Sequence, residues 1–171
     1  MKYLEVGDII GSRQKAIGSI LSIQKGQPTM IQHEIKPSIL LSIFKRKGGE
    51  GLLTRIIYES NDQTYVNQLA LLEPTESALI CCRQDESNWV LLTDKRILEQ
   101  KGAALFSLYF TEMADVTLAL RGEQTENGPP KGNFTRLKLK DKQDKEYIIS
   151  VEAGASFQGL LQVLHYIIGK K

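Results

Sequence analysis

The sequence predicts an α+β domain with a mainly helical extension in front of it, on three observations. Between residues 77 and 151 seven short apolar or alternating runs follow one another, each bounded by Gly, Pro, Asn, Asp or charged residues. After them Phe157, Leu160, Leu161, Leu164, Ile167 and Ile168 fall at helical spacing on one stripe. Before them, residues 1–72 carry helix-start and helix-stop signals around short apolar faces.

In chain order, Ser12 can cap a helix from Arg13 to Lys25, with Ala16, Ile17, Ile20 and Leu21 on its apolar face and Gly26-Gln27-Pro28 as its stop. Pro37 suits the first turn of a second helix that runs through Phe44 to Lys45-Arg46-Lys47 and ends at Gly48-Gly49. The stretch Leu52 to Leu72 reads either as helices, with Leu52, Leu53, Ile56 and Ile57 apolar, or as a hairpin turning at Ser60-Asn61-Asp62; the helical reading is preferred. Too apolar for a free tail, residues 1–72 are expected to pack on the strands that follow or to form a partner-binding layer. Glu73-Pro74-Thr75-Glu76 marks the change of pattern, so residues 73–171 form the second part.

The seven runs are Ser77–Arg83, Trp89–Thr93, Arg96–Lys101, Ala104–Phe110, Asp115–Arg121, Phe134–Lys140 and Glu146–Val151. Two show a clear period of two: Val116, Leu118 and Leu120 oppose Asp115, Thr117 and Arg121, and Leu137 and Leu139 oppose Arg136, Lys138 and Lys140. Cys81 and Cys82, the only cysteines, are adjacent in the first run, which predicts one buried thiol and one on the outer face. Residues 122–132, rich in Gly, Pro and polar residues, read as an exposed connection. In the last segment Ser156 is the candidate helix cap, Gly169-Lys170-Lys171 supplies positive charge at the carbonyl end, and Gly159 suggests close approach to a strand. A single core of Trp89, Leu91, Val116, Leu118, Leu137, Leu139, Ile149, Leu160, Leu161 and Leu164 follows from these assignments.

The run Trp89-Val-Leu-Leu-Thr-Asp-Lys-Arg-Ile-Leu98 has two apolar arms about a polar reversal, the pattern of a β-hairpin. It resembles the LLTDKRI hairpin of bacterial pleckstrin-homology-like (PH-like) domains, and the resemblance extends in pattern from about Glu73 to Lys171. It implies seven antiparallel strands curled into a small barrel, with the C-terminal helix over one open end. It also implies a binding module more readily than an enzyme, without naming a ligand. Many eukaryotic PH domains bind phosphoinositides through clustered cations between their first two strands. Here that connection, Arg83 to Asn88, has one cation and two acids, so phosphoinositide binding is not expected.

Catalytic and phosphate-binding signatures are missing: Gly11 to Gly18 lacks a GK[ST] ending, and no GxSxG, HExxH or EF-hand pattern occurs. Asp141, Asp144 and Glu146 alternate with lysines and read as a solvated hairpin tip, and His165 as a helix-edge residue. No catalytic, cofactor or metal residue is assigned, and the chain is read as a non-enzyme. With 171 residues, 42% hydrophobic and 25% charged, it has ordinary globular composition. A net charge of +2 does not favour nucleic acid. The first residues lack a signal-peptide pattern and no apolar run approaches ~20 residues, so the expected location is the cytoplasm.

The leading functional reading is a non-enzymatic cytoplasmic binding or scaffold protein that uses a PH-like barrel and the N-terminal helices to engage an unidentified protein partner. Its candidate contacts are the basic row Arg136, Lys138 and Lys140, about 6–7 Å apart along one strand face, with Arg121 and Lys131 nearby in sequence. The alternative is a peripheral membrane protein that meets an anionic bilayer through Phe44, Lys45, Arg46 and Lys47. A third reading, a small inhibitor or toxin-immunity protein, rests on size alone.

Overall fold

The computed structural model describes residues 35–119 and 134–170. The expected helix from Arg13 to Lys25, the connection 122–132, and the candidate contacts Arg121 and Lys131 lie outside the described residues. The elements are α1 (Pro37–Lys47), β1 (Thr54–Ile56), a 3-10 turn (Gln63–Tyr65), α2 (Val66–Leu69), β2 (Ala78–Arg83), β3 (Asn88–Thr93), β4 (Arg96–Lys101), β5 (Ala104–Tyr109), β6 (Met113–Leu118), β7 (Arg136–Asp141), β8 (Glu146–Ser150) and α3 (Ala155–Gly169). The protein is α+β, with two antiparallel sheets ordered β1-β2-β3-β4-β5 and β6-β7-β8.

The seven expected runs all form strands, but they do not close into a barrel. Closure needs backbone ladders across both junctions between the sheets. Side chains occupy those positions at one junction: the Glu99 carboxylate accepts from Ser150 N at 3.0 Å, and Glu152 accepts from the amides of Leu52, Leu53 and Thr54. The Phe106 and Tyr147 rings pack at a tilt of 33° between β5 and β8, with centroids 4.5 Å apart.

Register explains the burial. The cross-strand row Ile56, Ile80, Leu92, Ile97 and Leu108 lies on the inner face of the five-stranded sheet, and every member is buried. It joins Val116, Leu137, Leu139 and Ile149 of the second sheet and Leu160, Leu161 and Leu164 of α3 in one core. The adjacent row, Arg55, Cys81, Leu91, Leu98 and Ser107, faces the other way. Cys81, Trp89, Leu91 and Leu98 pack there with Ile57 and Tyr65 in a second cluster. Trp89 and Leu91 therefore do not share the main core, and both cysteines are buried, because residues 57–72 cover the outer face.

The same feature corrects the helical reading of 52–72 around β1, whereas Gln63–Tyr65 and Val66–Leu69 are helical. Consecutive Ile56 and Ile57 are buried in opposite clusters, which extended backbone achieves by pointing successive side chains to opposite faces. Asp62 Oδ1 then accepts from Thr64 N at 2.8 Å and starts the 3-10 turn.

The α1 helix matches its expected limits and packs along α3. Phe44 is fully buried at that contact. Gly159 permits the approach of this helix, not of a strand: a Cβ there would lie 2.7 Å from Phe44 Cδ2. Gly48 is tighter, since its Cβ would meet Ala155 O and lie 2.5 Å from Gly159 N. Ser156 is buried inside α3 and does not cap it; the N-cap is Gly154, whose φ of 87° suits glycine. Gly48→Ala should cost more than Gly159→Ala, at or above the ~1–3 kcal/mol of typical overpacking, because backbone must shift where Gly159→Ala displaces a ring. Paired urea denaturation curves would check the order.

Candidate functional site

The hairpin that carries the resemblance is a structural hub. Thr93 Oγ1 accepts from the amides of Lys95 and Arg96 at 3.0 and 2.9 Å, which fixes the reversal, and lies 2.7 Å from Glu76 Oε1. Asp94 Oδ1 accepts from Ser77 N at 3.0 Å, and Lys95 Nζ donates to Thr75 Oγ1 at 2.6 Å. Arg96 forms a fork on Glu76 through Nε at 2.9 Å and Nη2 at 2.8 Å, and Nη2 also donates to Leu71 O at 3.1 Å. Burial pushes the Glu76 pKa up, but the Arg96 fork, the Glu73 amide and the Thr93 hydroxyl more than offset it and hold the carboxyl below its ordinary range. Every polar residue of the reversal thus ties the β3–β4 turn to the segment leading into β2.

The basic row stands as expected on one face of β7. Lys138 pairs across the sheet with Thr117 and Ile148, Lys140 with Asp115 and Glu146, and Arg136 with Ser150. All three cations are half-buried, while Leu137 and Leu139 between them are fully buried. Lys138 Nζ is 2.9 Å from Glu146 Oε1 and Lys140 Nζ 2.6 Å from Asp144 Oδ1. The Asp144 pairing raises the Lys140 pKa. Ile148, 44% exposed, stands beside Lys138, so this face offers an apolar centre flanked by cations.

At the end of α1, Lys45, Arg46 and Lys47 are exposed, with Lys45 Nζ 5.2 Å from the Tyr58 ring centroid. Phe44, the apolar member of the membrane alternative, is turned into the core. No helix among the described residues is long and apolar enough to cross a membrane.

Asp141 does more than sit at a solvated tip. Its side chain accepts from Gln143 N, Lys145 N and Tyr147 Oη at 2.8–2.9 Å and shapes the β7–β8 turn. His165 is exposed, with Nε2 3.2 Å from Val116 O on β6. Among the described residues, no group of three or more His, Cys, Asp or Glu is placed to hold a metal ion.

Sequence reasoning missed a cleft of about 400 Å³ where β2, β3 and β4 approach β7 and the exit of β8. Its wall includes Cys82, Val90, Glu99, Arg136, Ser150 and Glu152. Glu99 is paired with Val90 across β3 and β4, which sets it on the inner face at the mouth of the core. Nothing near it in sequence separates it from a solvated strand acid; the register alone places it. Burial pushes its pKa up, and the Ser150 amide and Lys101 only partly offset this. Glu152 differs: burial opposes its ionisation, but the hydrogen bonds from the amides of Leu52, Leu53 and Thr54 help to outweigh it and hold the carboxyl low. Cys82 Sγ accepts from Glu152 N at 3.2 Å, and burial raises its pKa.

Glu99→Gln should stabilise the protein at pH 7, because the amide oxygen can still accept from Ser150 and no charge is buried. A raised folded pKa means the wild type bears no cost well below the unfolded value near 4.3 and an increasing one as pH rises through the folded value. The gain should therefore vanish in acid, which thermal melts of both proteins from pH 3.5 to 8 would show. Cys82, Lys101, Arg136 and Glu152 are the other titratable or charged groups facing the cleft. Comparison of the chain with known proteins finds no matching family model, curated protein or solved structure.

Proposed function

We propose that the chain is a non-enzymatic binding or scaffold protein of PH-like plan that engages an acidic protein partner through the outer face of the β6–β8 sheet. The PH-like reading is supported by element order: four antiparallel strands from β2 to β5, three from β6 to β8, and one closing helix, in the order of the resemblance. On that reading residues 73–171 are the PH-like unit, residues 1–72 the layer before it, and the cytoplasm the place of action. The partner reading is carried by one observation, the row Arg136, Lys138 and Lys140 around exposed Ile148. Cations around an apolar centre suit an acidic surface with one apolar anchor.

The test is purification of the wild type and of Lys138→Glu/Lys140→Glu from the native cell, with affinity for any shared partner then measured from 50 to 200 mM salt. The double variant should bind at least tenfold more weakly, mainly through slower association, while its thermal melt moves little, since the solvent-facing pairs Lys138–Glu146 and Lys140–Asp144 contribute little to folding. Equal affinity and equal salt dependence would remove the row from the interface. The membrane reading rests on Lys45, Arg46 and Lys47 once Phe44 is buried. Flotation with anionic vesicles that is lost in Lys45→Glu/Arg46→Glu would favour it instead.

A further inference from the structure

We propose that β5 is a docking edge for a second copy of this chain, the two β5 strands pairing antiparallel about a two-fold axis at Ser107 to form one continuous sheet. An exposed strand edge presents unpaired N–H and C=O groups that template another strand unless something blunts it. The two sheets end in β1, β5, β6 and β8. Three of these edges are blunted by side chains. On β1, Glu152 accepts from Thr54 N and Glu50 from Ile56 N, each at 2.8 Å, while Gly51 N donates to Thr54 O. On β6, Asp115 Oδ1 accepts from Val116 N at 2.8 Å, His165 Nε2 donates to Val116 O at 3.2 Å, and the register shifts between Met113 and Asp115. On β8, Glu99 takes Ser150 N, and Glu146 places a charge at the other end.

β5 has none of these devices. Phe110 N donates to Lys95 O, so by alternation Leu108 and Phe106 bond to Ile97 and Glu99, and the backbone groups of Leu105, Ser107 and Tyr109 point away from β4. Among the described residues nothing meets the backbone N–H or C=O of Leu105 or Ser107. Leu105 is 50% exposed, and Ala104 and Ser107 are exposed beside it. The strand Ala104-Leu-Phe-Ser-Leu-Tyr109 holds no charge, proline or glycine, the residues by which edges resist pairing.

The same composition selects the occupant. A two-fold at Ser107 sets Ser107 opposite Ser107, Leu105 opposite Tyr109 and Phe106 opposite Leu108, so small meets small, aliphatic meets aromatic, and no like charges face each other. In that register the hydrogen-bonded pairs fall on Ser107 and on Leu105 with Tyr109, the groups that β4 leaves free. A charged partner strand finds no counter-charge on β5. The edge is also held ready, because the Tyr109 hydroxyl donates to Glu73 and its ring lies 5.3 Å from the Arg96 guanidinium carbon. It belongs to the sheet without the basic row, so its failure would leave the reading of Arg136, Lys138 and Lys140 untouched.

The test is sedimentation of the full chain from about 5 µM to about 1 mM, with amide hydrogen exchange followed at both extremes. The wild type should pass from monomer to dimer with a dissociation constant on the order of 0.1 mM, since one strand pair buries less than a standard stable interface. The Leu105 and Ser107 amides should be protected only at the high concentration. Leu105→Lys, at a half-exposed side chain, and Ser107→Pro, which removes an N–H that β4 does not use, should each weaken the dimer at least tenfold and abolish that protection while β3 and β4 amides keep theirs. A wild type that stays monomeric, a dimer that leaves both amides unprotected, or a dimer undiminished in a folded Leu105→Lys would each overturn the assignment. Protection at both extremes would overturn it too, giving the edge to another segment of the same chain. Should neither variant fold, the two wild-type amides decide: exchange that does not change with concentration overturns it.

Discussion

Arg96→Met should lower the unfolding free energy by about 3–5 kcal/mol, the cost of leaving one member of a buried ion pair without its partner. The Glu76 side chain is fully buried and that of Arg96 is 12% exposed, so neither charge can turn to water without breaking the turn. The difference between the two proteins should also depend on pH. In the wild type the Glu76 pKa is lowered, so the pair stabilises the fold above the unfolded pKa near 4.3 and is lost as pH falls through the folded value. With methionine at 96 the Glu73 amide and Thr93 hydroxyl remain but the guanidinium is gone, so the Glu76 pKa rises relative to the wild type and the ionised carboxylate loses its main partner. The stability gap between the two proteins should be widest near pH 7 and narrow below about pH 4.5. Urea denaturation at pH 7 and pH 4 measures it, and a gap independent of pH would mean that Glu76 is not the group left unpaired.

Phe44→Ala should cost about 3–5 kcal/mol, as expected for removal of a fully buried ring. The loss is local in origin, because the ring fills the space that Gly159 leaves between α1 and α3. Hydrogen exchange should therefore show α1 amides losing protection before those of β3 and β4. Uniform loss across both sheets would indicate that α1 and the strands unfold as one unit.

The strands were legible because period-two runs and turn residues are local signals. The partition of the core was not, although a sign of it is present in Ile80-Cys81-Cys82 and Val90-Leu91-Leu92. Uninterrupted apolar runs indicate a strand covered on both faces, whereas Leu137 and Leu139 alternate with cations on a sheet whose outer face is covered by no element among the described residues. β1 was illegible for a different reason: three residues carry too little pattern, and Ile56-Ile57 reads equally as a helix face. Glu76 and Arg96 are 20 residues apart, and Glu152 lies about 100 from the amides it accepts from. Nothing in local spacing records such pairs, so the cleft that Glu99 and Glu152 help to wall could emerge only from register. The basic row was legible in position, but its partners Glu146 and Asp144 became specific only through the β7–β8 pairing.

The two adjacent thiols make the protein its own reporter of internal breathing. Cys81 belongs to the outer cluster, and its thiol is pushed up to about 12 by burial, then by Cys82, with Arg83 acting the other way. Cys82 belongs to the main core and borders the cleft. A thiol-specific alkylating reagent can reach neither at an appreciable rate until the layer over it lifts. Cys82→Ser would therefore leave a labelling rate that times the departure of residues 57–72 from the sheet, and Cys81→Ser one that times opening at the cleft that Cys82 borders. Neighbours in the chain, one peptide bond apart, would keep time for two different openings.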